Sequence, residues 1–237
     1  MSTINPTKET IKLYAKHLKT PSFAAYEDII RQLDTNQSYE HFLRELMKRE
    51  VLQRQENKQK RKLKTAKFPF PKTIDEFDFS RLERISSATV WELANCDFIK
   101  NRQNIVMIGN PGAGKSHLSI ALGMKACQAG FTVRFYTAAN LATELSEALQ
   151  HNRLSKFEKS LAQIDLLILD ELSYLTFNRH QSEMLFQVIS ERSERASIIV
   201  TTNLEFSRWT ELFENEIMVA ALIDRITFRS HILDMNV

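Results

Sequence analysis

Apolar residues in the first quarter of the chain recur at helical spacing. Ile11, Tyr14, Ala15 and Leu18 fall at i, i+3, i+4 and i+7, one face of a helix. Phe23, Tyr26, Ile30 and Leu33 resume the period after the Thr20-Pro21 break, and Tyr39, Phe42, Leu43 and Leu46 open a third helix. Beyond Leu52 that helix loses its apolar face. Acid-before-base pairs four apart, Glu45/Arg49, Glu50/Arg54 and Glu56/Lys60, are expected to hold it instead, each contributing about 0.2–0.5 kcal/mol. The third helix is thus expected to start in a small packed bundle and to run on into solvent as a basic rod. Phe68-Pro69-Phe70-Pro71 ends it, because proline disfavours helical geometry before it and cannot donate a backbone hydrogen bond. Phe77 and Phe79 follow, available to pack on the next domain.

From Trp91 the pattern changes to strands alternating with helices. The strands expected are Asn104–Ile108, Thr132–Tyr136, Asp165–Leu169, Ser197–Thr201 and Thr227–Leu233. Helices are expected at Lys115–Ala129, Asn140–Gln150 and His180–Arg192, with short ones near Phe206–Phe213 and Glu216–Ile226. Strands that are apolar through most of their length are buried on both faces, which implies a parallel sheet between two layers of helices. The organisation expected is α/β: an all-helical N-terminal domain over 1–67, a linker over 68–90, and a nucleotide-binding domain with a five-stranded parallel sheet over 91–237.

Composition narrows the class. Apolar residues make up 43% of 237 residues, enough for a core, and 5 Gly with 5 Pro leave little for long linkers. No apolar run is long enough to span a bilayer, and Met1 to Lys19 lacks the apolar segment of a signal peptide. Cys96 and Cys127 lack metal-ligand spacing and read as free thiols of a cytoplasmic protein. The net charge is only +3, but it is unevenly spread: Arg44 to Lys72 holds eleven basic residues against three acids, +8, leaving −5 elsewhere. Such a segregated basic segment suits a polyanion.

The most specific chemistry is Gly109-Asn110-Pro111-Gly112-Ala113-Gly114-Lys115-Ser116, followed by His117. It is a complete G-x-x-x-x-G-K-[ST] phosphate loop between an expected strand and an expected helix. Its glycines let the backbone aim several N–H groups at phosphates, and the helix N-terminus adds its dipole. Lys115 is expected to reach the β- and γ-phosphates and Ser116 to give a hydroxyl to Mg²⁺. Leu166-Leu167-Ile168-Leu169 runs into Asp170, placed to hold Mg²⁺, and Glu171, placed to polarise an attacking water. Read alone, the pair is equally a strand ending in surface acids. Asn203, after the apolar strand Ser197–Thr201, can meet that water or the γ-phosphate, or it is an ordinary turn residue. Arg225, late in a mostly apolar helix, is either a surface arginine paired with an acid or a finger supplied to the ATP of a neighbouring subunit.

Phosphate loop, Asp-Glu strand, Thr-Thr-Asn strand and late Asp-Arg together resemble the AAA+ ATPases, and within them the IstB/DnaC branch. The resemblance is carried by Lys72–Phe79, Asn104–Leu118, Leu169–Leu175, Leu185–Ile189, Thr202–Trp209 and Leu222–Ile226, and it extends to Ser38–Leu46. Phe206-Ser207-Arg208-Trp209 and Tyr39-Glu40-His41-Phe42-Leu43 favour IstB, the transposition helper of insertion sequences. The resemblance implies an ATPase that assembles as a homo-oligomer on duplex DNA, with ATP between subunits, and hands target DNA to a partner transposase. It assigns catalytic roles to Lys115, Asp170, Glu171, Asn203 and Arg225, and metal binding to Ser116 and Asp170. The family's usual Gly-x-Ser-Tyr-Arg motif does not follow the last strand in this sequence. Either the chain is a truncated form, or Arg225 or Arg229 serves nucleotide sensing instead.

DNA is expected to lie on the basic rod, through Arg54, Lys58, Lys60, Arg61, Lys62 and Lys64. Lysine–phosphate contacts position without reading sequence, so binding is expected to be non-specific and steeply salt-dependent. The plainer alternative is a solvated charged helix. Three other functions stay open: a helicase loader acting on single strands with a replicative helicase, a P-loop kinase, and a structural DNA binder that does not hydrolyse ATP.

Overall fold

The computed structural model describes residues 6–33, 37–81, 84–173, 177–192, 195–213 and 215–236. Leu82 and Glu83 of the expected linker, and Tyr174 and Leu175 of the segment carrying the family resemblance, lie outside them. The chain divides into two compact units, Met1–Arg61 and Lys62–Val237.

The first unit is helical: α1 (Pro6–His17), α2 (Pro21–Ala24), α3 (Tyr26–Gln32) and the start of α4 (Tyr39–Ala66). Its apolar faces differ from expectation. Ala15 and Leu46 are buried, but Tyr14 and Leu18 are exposed, and Ile29 rather than Ile30 points inward. Period alone does not say which of two adjacent apolar residues faces the core. A buried carboxylate helps hold the unit: Glu50 accepts the Ser22 N–H at 3.1 Å and the Arg54 Nε–H at 2.7 Å. Burial works to raise its pKa, but the hydrogen bonds from Arg54 and Ser22 outweigh it and hold the carboxyl below the usual glutamate value. Of the three expected i,i+4 pairs only Glu50/Arg54 forms among the described residues; Glu45 pairs with Arg44 and Lys48, and Arg49 with Asp28.

Nor does α4 remain a solvent rod to its end. Lys62–Ala66 belongs to the second unit. There Ala66 is fully buried and Leu63 packs on the core, while the Lys62 ammonium donates to the Gly130 carbonyl. The expected linker is likewise structured. Ile74, Phe77 and Ile85 join the core, and Ser86 caps α5 (Ser87–Ala94) by accepting the Thr89 N–H at 3.1 Å.

After α6 (Asp97–Lys100), the second unit alternates β1 (Asn104–Ile108), α7 (Lys115–Gln128), β2 (Val133–Thr137), α8 (Ala138–Gln150), α9 (Leu154–Ala162), β3 (Leu166–Asp170), α10 (Arg179–Arg192) and β4 (Ser197–Thr202). A 3-10 turn (Phe206–Glu211), α11 (Glu216–Thr227) and β5 (Ser230–Asp234) complete it. The five strands form one sheet in the order β2-β3-β4-β1-β5, with every pairing parallel. Successive side chains point to opposite faces. Ile105 and Met107 therefore enter one core beneath α7, while Val106 and Ile108 enter the other with α8, α10 and α11. Helices cover both faces, so β1, β3 and β4 are buried at every residue.

The expected elements of this unit are present, with shifts at their edges. β5 starts at Ser230 rather than Thr227, because the Thr227 hydroxyl bonds back to the Ile223 carbonyl at 2.7 Å within α11 and Arg229 turns the chain with φ 49°. Helices α5, α6 and α9 are additional to those expected. Among the described residues, no helix is long and apolar enough to cross a membrane.

Candidate functional site

The carboxyl ends of β1, β3 and β4 meet at one end of the sheet, where ligands sit in such folds. β1 delivers the loop 109–114, which turns through Gly112 (φ +82°) and Gly114 (φ +86°) into α7. Leu118 is the residue whose N–H closes the first helical turn, onto the Gly114 carbonyl at 2.9 Å. The N–H groups of Lys115, Ser116 and His117 precede that bond and have no partner within the helix, so they and the helix dipole form an anion cradle. A strap over 73–79 backs the loop. The His117 ring nitrogen Nε2 lies 2.8 Å from the Thr73 carbonyl, and the Phe77 ring packs edge-on against His117 at 5.3 Å.

Lys115 is 8% exposed and folds back on its own loop, donating to the carbonyls of Gly109 at 2.6 Å and Asn110 at 2.9 Å. Burial lowers its pKa, against the opposing pull of Asp170 and Glu171. Ser116 Oγ donates to Asp170 Oδ1 at 3.0 Å. Asp170, buried at the end of β3, also accepts the Thr201 hydroxyl at 2.5 Å. Glu171 sits in the left-handed region (φ 58°), with its N–H on Thr201 Oγ1 at 2.9 Å. Asn203 follows β4, its N–H held by Ser173 Oγ at 2.9 Å. A cleft of about 240 Å³ is lined by Lys115, Ser116, Glu171, Thr202 and Asn203, among others.

Lys115, Ser116, Asp170, Glu171 and Asn203 are thus brought together. Arg225 is not with them. It lies in α11 with its guanidinium 5.2 Å from the centre of the Phe186 ring and Nη1 on the Ala221 carbonyl at 3.3 Å. The neighbouring Ile226 carbonyl accepts from Asn104 Nδ2 at 3.0 Å, at the start of β1 and so at the far end of the strands from the phosphate loop. Within the basic helix, Arg54 is engaged by Glu50 and by the Lys19 carbonyl, and Lys62 by Gly130; Lys58, Lys60 and Lys64 are exposed. Sequence reading passed over Thr201 and Ser173. Thr201 is one of three hydroxyl residues in β4, with Ser197 and Thr202, and nothing in the strand itself sets it apart.

The donor set suits a polyphosphate with a hard divalent cation. Among the described residues no cluster of three or more His, Cys, Asp or Glu side chains could hold a metal alone. One hydroxyl and one buried carboxylate are what Mg²⁺ takes from a protein when phosphates supply the rest.

Residues 13–237 match the family described as IstB-like ATP binding protein. A protein described as the ATP-binding protein of insertion sequence IS5376, from Geobacillus stearothermophilus, is 34% identical over 231 residues, 97% of this chain and 92% of its own length. The corresponding protein of insertion sequence IS21 from Pseudomonas aeruginosa is 37% identical over 199 residues, 84% of this chain and 75% of its own. Among solved structures, AMPPCP-bound DnaA from Aquifex aeolicus superposes with a TM-score of 0.57 at 20% identity, over 69% of this chain and 49% of that one. The DnaC helicase loader superposes with a TM-score of 0.51 at 21% identity, over 68% of this chain and 95% of its own. These last two are likenesses of fold.

Proposed function

Because this chain belongs to the IstB-like ATP-binding proteins, AAA+ proteins associated with IS21-type insertion sequences, we propose that it hydrolyses ATP within a homo-oligomer assembled on duplex DNA and so presents target DNA to a partner transposase. The observation that carries this reading is a division of labour across the sheet. Lys115, Ser116, Asp170, Glu171 and Asn203 converge at one end, while Arg225 is held at the other, away from its own site, as a finger for a second copy would be.

In this reading the loop from Gly109 to His117, with Asn110, Pro111 and Ala113 between its glycines, wraps the triphosphate. Lys115 exchanges the Gly109 and Asn110 carbonyls for β- and γ-phosphate oxygens. Ser116 and Asp170 would hold Mg²⁺, which would neutralise phosphate charge. Glu171 takes a proton from a water that Asn203 helps to orient. The water oxygen bonds to the γ-phosphorus as the bond to the β-phosphate oxygen breaks, releasing ADP and phosphate. Arg225 stabilises the charge of that transition state in the neighbouring copy. The helical segment 1–67 serves DNA and partner contacts, with Lys58, Lys60 and Lys64, and the more engaged Arg54, Arg61 and Lys62, along DNA phosphates. Segment 91–237 carries the ATPase.

The test is the mass of complexes formed on a long duplex and on a single strand of equal length, without nucleotide, with ATP and with ADP. Large ATP-dependent assemblies on duplex are expected. Assembly on single strands alone would turn the reading to a helicase loader, and no DNA-dependent assembly would overturn both.

A further inference from the structure

The Asp170 carboxylate and the Glu171 backbone are joined through one side chain to which no role has been given. Thr201 is 1% exposed, in the middle of the sheet on β4. Its hydroxyl accepts the Glu171 N–H at 2.9 Å and lies 2.5 Å from Asp170 Oδ1. A hydroxyl has one proton to donate, and Asp170 as a carboxylate can only accept, so the proton points at Asp170. The Glu171 amide meets the oxygen from its lone-pair side. The same strand residue braces the segment again through its backbone, its carbonyl accepting the Leu172 N–H at 3.0 Å.

Both consequences of this bridge fall on the reacting centre. Asp170 Oδ1 receives two hydroxyls, Ser116 at 3.0 Å and Thr201, which fixes the rotation of the carboxylate. Glu171 holds a left-handed backbone, φ 58°, which costs a side-chain-bearing residue about 1–2 kcal/mol and persists only where surrounding bonds over-determine it. Its amide bond to Thr201 is one of those bonds. A valine would fill the same buried space without supplying either.

We propose that Thr201 is a positioning residue for ATP hydrolysis: one buried hydroxyl orients Asp170 for Mg²⁺ and anchors Glu171 in the backbone conformation that presents its carboxylate to the cleft. This assignment rests on the ATPase reading above. It predicts a defect in metal use and turnover rather than in phosphate-loop binding, because the Thr201 hydroxyl bonds to Asp170 and Glu171 rather than to Lys115 or the loop.

The decisive comparison is T201S against T201A, which differ by a single oxygen, with T201V as the variant that keeps the volume. Three quantities are read on the full chain: amide hydrogen exchange over 170–173 without nucleotide, the Mg²⁺ concentration giving half-maximal ATP binding, and turnover at saturating ATP, Mg²⁺ and duplex DNA. T201S is expected to stay within about twofold of the parent in all three. T201A and T201V are expected to exchange faster at Glu171, to need several-fold more Mg²⁺, and to turn over about tenfold or more slowly, with ATP affinity at saturating Mg²⁺ unchanged. If T201V does not fold, the Ser–Ala pair decides alone. Equal behaviour of T201S and T201A in exchange and Mg²⁺ requirement would overturn the assignment. A parent chain that binds MgATP but never turns it over would overturn the ATPase reading instead, leaving the first two measurements to judge Thr201.

Discussion

Gly114→Ala sets two sources of strain against one. At φ +86° an alanine bears the left-handed cost of about 1–2 kcal/mol. Its methyl carbon would also stand 2.6 Å from Phe77 Cε2 and 3.1 Å from Cζ. That ring has little room to retreat, being 8% exposed and packed between Phe79 at 5.0 Å and His117 at 5.3 Å. Overpacking of this kind costs about 1–3 kcal/mol. Gly112→Ala is the internal control: its φ is +82°, but nothing lies within 4 Å of the added carbon, so only the backbone cost applies. The difference between the two variants should therefore be about 1–3 kcal/mol. Urea unfolding of the nucleotide-free protein measures it. Both tryptophans, Trp91 and Trp209, lie in the unit that carries the loop, so their fluorescence reports that unit. Gly114→Ala is expected to unfold at the lower urea concentration with an unchanged slope, and Phe77→Leu in the same chain should recover part of the loss. Coincident midpoints for Gly112→Ala and Gly114→Ala would refute the claim that the strap is wedged against the loop.

Glu171→Gln should retain ATP binding and lose about 10²–10⁴-fold in turnover; phosphate release assays check it, and an unaffected rate would leave Glu171 without its role. Arg225→Ala should be inactive alone, yet recover turnover when mixed with a Lys115 variant that cannot bind ATP, because each lacks a different half of the shared site; no recovery in titrated mixtures would place the arginine elsewhere. Changing Lys58, Lys60 and Lys64 to Glu should weaken duplex binding and flatten the log–log salt dependence by about 0.9 for each phosphate no longer neutralised, a slope read from fluorescence anisotropy. The depressed Glu50 pKa adds stability that is present above the ordinary glutamate value of 4.5 and lost as pH falls through the folded value. Glu50→Gln should accordingly destabilise the helical unit at pH 7, with the gap to the parent closing in acid; a gap constant with pH would mean that the carboxylate charge is not what matters.

The parts of the site legible in the sequence were those in which chemistry and local pattern coincide. The phosphate loop needs specific residues at fixed spacing, and β3 and β4 are apolar runs that end in the very residues that line the cleft. Arg225 could be read either as a surface arginine paired with an acid or as a finger for a neighbouring subunit, and the structure sets its guanidinium over Phe186. What was missed depended on partners distant in sequence. Thr201 gains meaning only because parallel pairing sets β4 beside Asp170, 31 residues away. Helix α9 carries Leu154, Phe157 and Leu161 at helical spacing, yet it was not among the elements expected. The inward choice of Ile29 over Ile30 reflects helix–helix packing that a one-dimensional pattern leaves degenerate.

The left-handed Glu171 carries a consequence for how this protein can change. Asparagine and glycine occupy that backbone region far more readily than glutamate. Substituting either would relax the chain while removing the carboxylate that faces the cleft. Natural variation filtered for robustness alone would drift toward such residues, and so toward a sturdier protein with an idle site. On the ATPase reading, a glutamate at this position gives up backbone stability for the carboxylate that turnover requires.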